Sequence, residues 1–118
     1  MLGLPSSVRI YLATESTDMR KGHDGLSAVV KQLGHDAFSG HLYVFVSRRR
    51  NRVKILTWEI GGFVLWYKRL EMGRFRLPKL APDQKSVSLE AAQLSMLLDG
   101  IDFSRVRRPM HWRPPEKS

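Results

Sequence analysis

Apolar and polar positions alternate most regularly in the middle of the chain. Residues 42–46 read Leu-Tyr-Val-Phe-Val, residues 47–52 read Ser-Arg-Arg-Arg-Asn-Arg, and residues 53–59 return to a β-branched and aromatic mix. That pattern predicts two strands joined by a polar hairpin tip. If Ser47 pairs with Arg52, Val46 lies opposite Val53 and Val44 opposite Ile55, while Tyr43 and Phe45 share the other face with Leu56 and Lys54. Gly61-Gly62 signals a tight turn into a third strand over residues 63–70, which makes a meander. Phe75-Arg76-Leu77 is a candidate for a fourth short strand, between the breakers Gly73 and Pro78. Residues 8–12 read as a further short strand. Leu26, Val29, Val30 and Leu33 recur at helical spacing over residues 24–33, with Asp24 to cap the start and Gly34 to end it. A second helix is predicted over residues 89–99 after Ser88 as N-cap. Leu89, Ala92, Met96 and Leu97 line one side, Leu94 and Leu98 widen it, and Gly100 follows its end. No internal repeat is present. The expectation is a single α+β domain over residues 1–103, with an antiparallel meander of three to four strands and two flanking helices.

Charge changes this picture by concentrating it. Residues 41–80 hold ten Lys and Arg against two Asp and Glu, a surplus of eight, and the whole chain has a net charge of +9. Nearly all the net charge thus sits in the most strand-like third of the protein, where a polyanion would land. At 118 residues the chain is long enough for one domain with its own core. With no cysteine, disulfides, thiol chemistry and Cys-ligated zinc are excluded. The longest apolar runs fall far short of the roughly 20 residues of a membrane span. No basic stretch followed by an apolar core opens the chain, so no secretory signal is expected, and the reading is a cytoplasmic protein without a membrane partner. Residues 104–118 contain Arg105, Arg107, Arg108, Arg113 and Lys117 among three prolines. They lack a periodic apolar face and are expected to form an extended or flexible basic tail.

The candidate chemistry is anion recognition. Arg48, Arg49, Arg50 and Arg52 on a protruding ribbon can fork onto phosphates, each guanidinium offering paired donors. Lys68, Arg69, Arg74 and Arg76 follow as flanking contacts. Arg20, Lys21, Arg107 and Arg108 are secondary candidates. The bland reading is a solvated loop whose charges protect a sheet edge. Tyr43, Phe45, Trp58, Trp66 and Tyr67 interleave with these charges. Strands collect such rings for burial, and base stacking is the minor reading. Residues 17–22, Thr-Asp-Met-Arg-Lys-Gly, form a polar turn in which Asp18 either caps a local turn or orients a basic side chain toward a phosphate. The second reading requires this turn to converge on the hairpin tip. Catalysis is not expected. The carboxylates form no acid/base or two-metal pattern, and Asp99 and Asp102 sit beside a helix end. His23, His35, His41 and His111 lack metal-ligand spacing. No Gly-rich phosphate loop is present, and no cofactor or metal is expected.

Four ordered blocks also carry a likeness to a known family. They are TDMRKGHDGL, FSGHLYVFVSRRRNRVKILTWE, WYKRLEMGRF and LEAAQLSMLLDGID, and the likeness extends over about residues 4–101. This set resembles the TnpB accessory proteins of the sixty-six family of bacterial insertion sequences. These second-open-reading-frame transposition proteins are distinct from the RNA-guided nucleases that share the name. The chain departs from the usual pattern in carrying Glu59 where Asp is typical and Ser47 where Gly or Asn is frequent. The resemblance implies a mobile-element protein that works beside a separate transposase and other accessory proteins, and it carries over no catalytic residue. Two functional classes follow: a DNA-binding accessory factor, acting through the basic hairpin on element ends or non-specific duplex, and a protein adaptor that contacts the transposase or another accessory subunit without touching DNA. RNA binding is a third, minor class.

Overall fold

Central strands buried on both faces give this protein its frame. The computed structural model describes residues 5–80 and 83–100. Within them, β1 (Ile10–Ala13), α1 (His23–Gln32), β2 (Leu42–Val46), β3 (Arg52–Glu59), β4 (Gly62–Arg69), β5 (Ser86–Leu89) and α2 (Ala91–Asp99) follow in chain order. The five strands form one mixed sheet in the order β4-β3-β2-β1-β5. β1 and β2 run parallel, joined through α1, and every other pairing is antiparallel.

All five residues of β2 are buried, as a strand covered on both faces must be. Its even positions, Leu42, Val44 and Val46, join Ile10, Leu12, Val53, Ile55 and Leu89 beneath Leu94, Leu97 and Leu98 of α2. Its odd positions, Tyr43 and Phe45, join Ala13 and Leu56 beneath Leu26 and Val30 of α1. Each helix therefore covers one face, and the period of two sorts the strand residues between two cores.

The hairpin register agrees with the sequence expectation: Val46 lies opposite Val53, Val44 opposite Ile55, Phe45 opposite Lys54 and Tyr43 opposite Leu56. The second hairpin turns through Ile60 and Gly61, closing on the Glu59–Gly62 pair. Gly61 takes φ +79°, a conformation open to glycine at little cost. The meander of β2, β3 and β4 thus exists, within a larger sheet than expected. The sheet is mixed because β1 inserts parallel to β2, with α1 as the crossover that parallel strands require.

Two further expectations are corrected. Residues 75–77 form no strand. Phe75 is fully buried in the α2-side core, and its N–H donates to the Arg50 carbonyl at 2.6 Å. Residues 86–89 form β5 instead of opening the second helix, so Ser88 pairs with Tyr11 and is no N-cap. The helix begins two residues later with a capping box. Glu90 is its N-cap, its side chain accepts from the N3 backbone, and the Gln93 side chain accepts the Glu90 N–H at 2.8 Å. Its buried stripe is Leu94, Leu97 and Leu98, with Ala92 exposed. At the first helix the N-cap is Gly22, without a side-chain cap from Asp24, and Gly34 past its end takes φ +84°. The expectation for residues 104–118 lies outside the described residues.

Candidate nucleic-acid interface

The β2–β3 hairpin tip is built by its own backbone and by two small polar side chains. Ser47 N–H donates to the Arg52 carbonyl at 2.9 Å, and Arg50 N–H donates to the Ser47 carbonyl at 2.9 Å. The Ser47 hydroxyl accepts the Arg52 N–H at 3.1 Å and donates to Asn51 Oδ1 at 3.3 Å. Arg50 sits at φ +59°, the one described non-glycine residue with positive φ. A side chain costs about 1–2 kcal/mol there, so glycine would suit the backbone better. A strained position that carries an arginine directs attention to what the side chain contacts.

Arg48, Arg49, Arg50 and Arg52 are all exposed. With other described residues they form no ion pair. Arg52, first in β3, lies directly opposite Arg69, last in β4. Like charges facing each other across a ladder are unfavourable. Glu71, at 3.0 Å from the Arg69 guanidinium, relieves part of that repulsion. Lys68 is half-buried on the opposite face, and its ammonium donates to the Leu98 carbonyl at 2.7 Å. There it caps the negative end of α2, so in the free protein it serves the fold. Arg74 and Arg76 are exposed on either side of buried Phe75. Arg107 and Arg108 lie outside the described residues.

Sequence spacing could not show that the β1–α1 turn converges on this tip. Thr17 N–H donates to the Val46 carbonyl at 2.9 Å, tying the turn to the end of β2. From β3, the Lys54 ammonium donates to the Met19 carbonyl at 2.7 Å and the Lys21 carbonyl at 2.8 Å. Between turn and tip opens a groove of about 400 Å³, lined by Thr17, Asp18, Met19, Arg20, Ser47, Arg48, Arg49, Asn51 and Arg52. Lys54 is the residue that sequence reasoning missed. Its signal was a lysine set between the apolar residues Val53 and Ile55, facing buried Phe45.

Inside the groove Asp18 and Arg20 form a two-pronged pair, at 3.1 Å from Nε and 2.7 Å from Nη2, and Asp18 also accepts the Arg20 backbone N–H at 2.9 Å. Hydrogen bonds from the Arg20 side chain and backbone hold the Asp18 carboxyl down from its ordinary 3.8 to about 2. Asp18 in turn raises the pKa of Arg20. The carboxyl should therefore titrate near pH 2 in the folded protein. In Arg20→Ala the side-chain bonds are lost while a backbone N–H remains, so the midpoint should move up toward 3.8. Carbon-detected NMR of the Asp18 side chain reads this shift. An unchanged midpoint would show that Arg20 does not hold the carboxylate in solution.

The aromatics divide by burial. Tyr43 and Phe45 are core residues, at 1% and 0% exposure, and take no part in a stacking surface. Tyr67 is exposed on the basic side, with the Lys54 ammonium 5.7 Å from its ring centroid. Among the described residues no group of three or more His, Asp or Glu is placed to hold a metal ion, and no helix is long and apolar enough to cross a membrane.

Residues 8–108 match the family described as IS66 Orf2 like protein. Two curated relatives come from Sinorhizobium fredii. The chain is 35% identical to uncharacterized protein y4jC over 115 residues, covering 97% of each chain. It is 37% identical to uncharacterized protein y4hO over 116 residues, covering 97% of this chain and 96% of the relative. No solved structure matches the chain significantly.

Proposed function

The chain belongs to the IS66 Orf2-like family, and on that premise we propose that it is a non-catalytic accessory protein of insertion-sequence transposition that binds DNA through the hairpin tip and the adjoining turn. What the family itself supports is an accessory role in transposition. The observation that carries the DNA reading is the groove. Arg20, Arg48, Arg49 and Arg52 line it against the single carboxylate of Asp18, on a rigid sheet end. Exposed guanidiniums on a fixed ribbon suit phosphate oxygens, which position a protein on DNA without reading its sequence. The test is a mobility shift of element-end and scrambled duplexes, with and without the transposase. Binding by the protein alone, weakening steeply with salt and similar on both duplexes, is the expected result. No binding to either duplex at low salt would remove this reading.

A second reading, the protein adaptor, is favoured by the far end of the same sheet. There Phe38, Trp58 and Phe63 pack with ring centroids 4.9 to 5.3 Å apart, and Phe38 and Ile60 are exposed. No Lys or Arg lies within three residues of any of these four in sequence, in contrast to the arginine run of the tip. Aromatic clusters of this kind anchor protein interfaces. Loss of transposase binding on Phe38→Asp, with DNA binding by the protein alone intact, would support the adaptor reading; transposase binding unaffected by that change would count against it.

A further inference from the structure

We infer that the turn over residues 17–21 and the hairpin tip are the two jaws of one phosphodiester clamp, in which Arg20 contacts the phosphate and Asp18 positions it. This rests on the DNA reading above and names the contact within it. Three bonds fix the first jaw to the second: Thr17 N–H to the Val46 carbonyl, and the Lys54 ammonium to the carbonyls of Met19 and Lys21. Both anchor points, Val46 and Lys54, belong to the strands that carry the tip. The jaw spacing is therefore set by the sheet before any ligand arrives, which lowers the ordering cost of binding.

Arg20 is the group this arrangement presents. Its side chain is 91% exposed, yet its guanidinium is held in one direction by Asp18. Asp18 uses the Nε hydrogen and one on Nη2. Of the five guanidinium hydrogens, three remain for an incoming oxyanion. Asp18 is ionised at any pH where DNA is handled, and Arg20 holds its carboxyl lower still, at about 2, so the positioning persists there. The groove, at about 400 Å³, has the size of a small-ligand site. It seats one phosphate and its neighbouring sugars, while Arg48 and Arg49 on the opposite jaw complete the contact.

The sign of one substitution separates this clamp from general electrostatics. Removing a negative charge from a basic groove should tighten DNA binding if Asp18 only adds repulsion. If Asp18 aims Arg20, Asp18→Asn should weaken it. Fluorescence anisotropy with a labelled duplex, over a series of salt concentrations, is run on the full chain and on Asp18→Asn, Arg20→Ala, their double variant, and the Arg48→Ala/Arg49→Ala/Arg50→Ala variant. Asp18→Asn is expected to bind about three- to tenfold more weakly, with Arg20→Ala flattening the log–log salt slope by about 0.9. The double variant should be no weaker than Arg20→Ala alone, the non-additivity of two residues acting as one. Thermal unfolding verifies that each variant folds. Arg20→Ala still tests the clamp if Asp18→Asn does not fold.

Unchanged or tighter binding in Asp18→Asn, or an unaltered salt slope in Arg20→Ala, overturns the clamp. If the triple variant still loses affinity in that case, the DNA reading stands without the clamp. If the triple variant also binds unchanged, the DNA reading fails with it. Inorganic phosphate, compared with chloride at matched ionic strength, is expected to displace no extra DNA. Extra displacement that disappears in Arg20→Ala would assign the site to a free phosphate instead.

Discussion

Phe75→Ala is expected to destabilise the protein by about 3–5 kcal/mol, the range for deleting a buried phenyl ring from a core. Phe75 is fully buried although its segment has no helix or strand. Its ring packs in the core shared by Ile10, Val44, Ile55 and Leu97. Alanine leaves a cavity that the sheet and α2 residues of this core can only partly close. The backbone adds a functional link. Phe75 N–H donates to the Arg50 carbonyl, and Leu70 N–H donates to the Asn51 carbonyl at 2.8 Å. A looser Phe75 segment should therefore also free the hairpin tip. Urea unfolding gives the stability change, and amide exchange at Arg50 and Asn51 reports the tip. A loss below about 1 kcal/mol would mean that residues 71–80 are not docked as described.

Replacing Arg48, Arg49 and Arg50 together with alanine should cost DNA affinity heavily and stability little. Each phosphate contact contributes about 0.9 to the log–log salt slope on duplex DNA. Three contacts would flatten it by about 2.7. At about 0.1 M salt, counterion release alone then corresponds to a loss of up to roughly 500-fold. The side chains are exposed and unpaired with other described residues, so their removal leaves no buried group without a partner. Surface charges of this kind contribute little to stability. The loss should be equal on element-end and scrambled duplexes, because phosphate contacts carry no sequence information. A folded triple variant with unchanged affinity and slope would reduce the tip to a solvated loop, and the adaptor reading would lead.

The aromatic and basic ends of the sheet put the two functional classes in one frame. β3 runs from Arg52 at the basic end to Glu59 at the aromatic end, eight residues, or about 23 Å between the first and last at the usual strand rise. On the two proposed readings, DNA would lie at one end of the sheet and a protein partner at the other.

Local pattern was enough for the elements whose signals lie within a few residues of one another. Period-two alternation, together with the polar tip, located β2 and β3 and set their register to the residue, since a slip of one would turn Val44 and Ile55 to the opposite face. Helical spacing located α1 to within a residue at each end. The same reasoning failed where a short segment had two locally acceptable states. Ser86–Leu89 has alternating apolar positions and a serine suited to capping, and its pairing with β1 decided for a strand. Phe75-Arg76-Leu77 has strand composition, but the core required only the ring of Phe75.

Among the site residues, the sequence by itself determined that Arg48, Arg49, Arg50 and Arg52 would share an exposed tip, because a hairpin loop has nowhere to bury them. Only the tertiary structure assigned Lys68 to the end of α2, set Arg52 against Arg69, and brought Asp18 and Arg20 to the tip. The last of these depends on the parallel insertion of β1 beside β2, which carries the turn after β1 to the end of β2. That pairing joins residues about thirty apart in the chain, through hydrogen bonds that any backbone can make and that leave no mark on residue type.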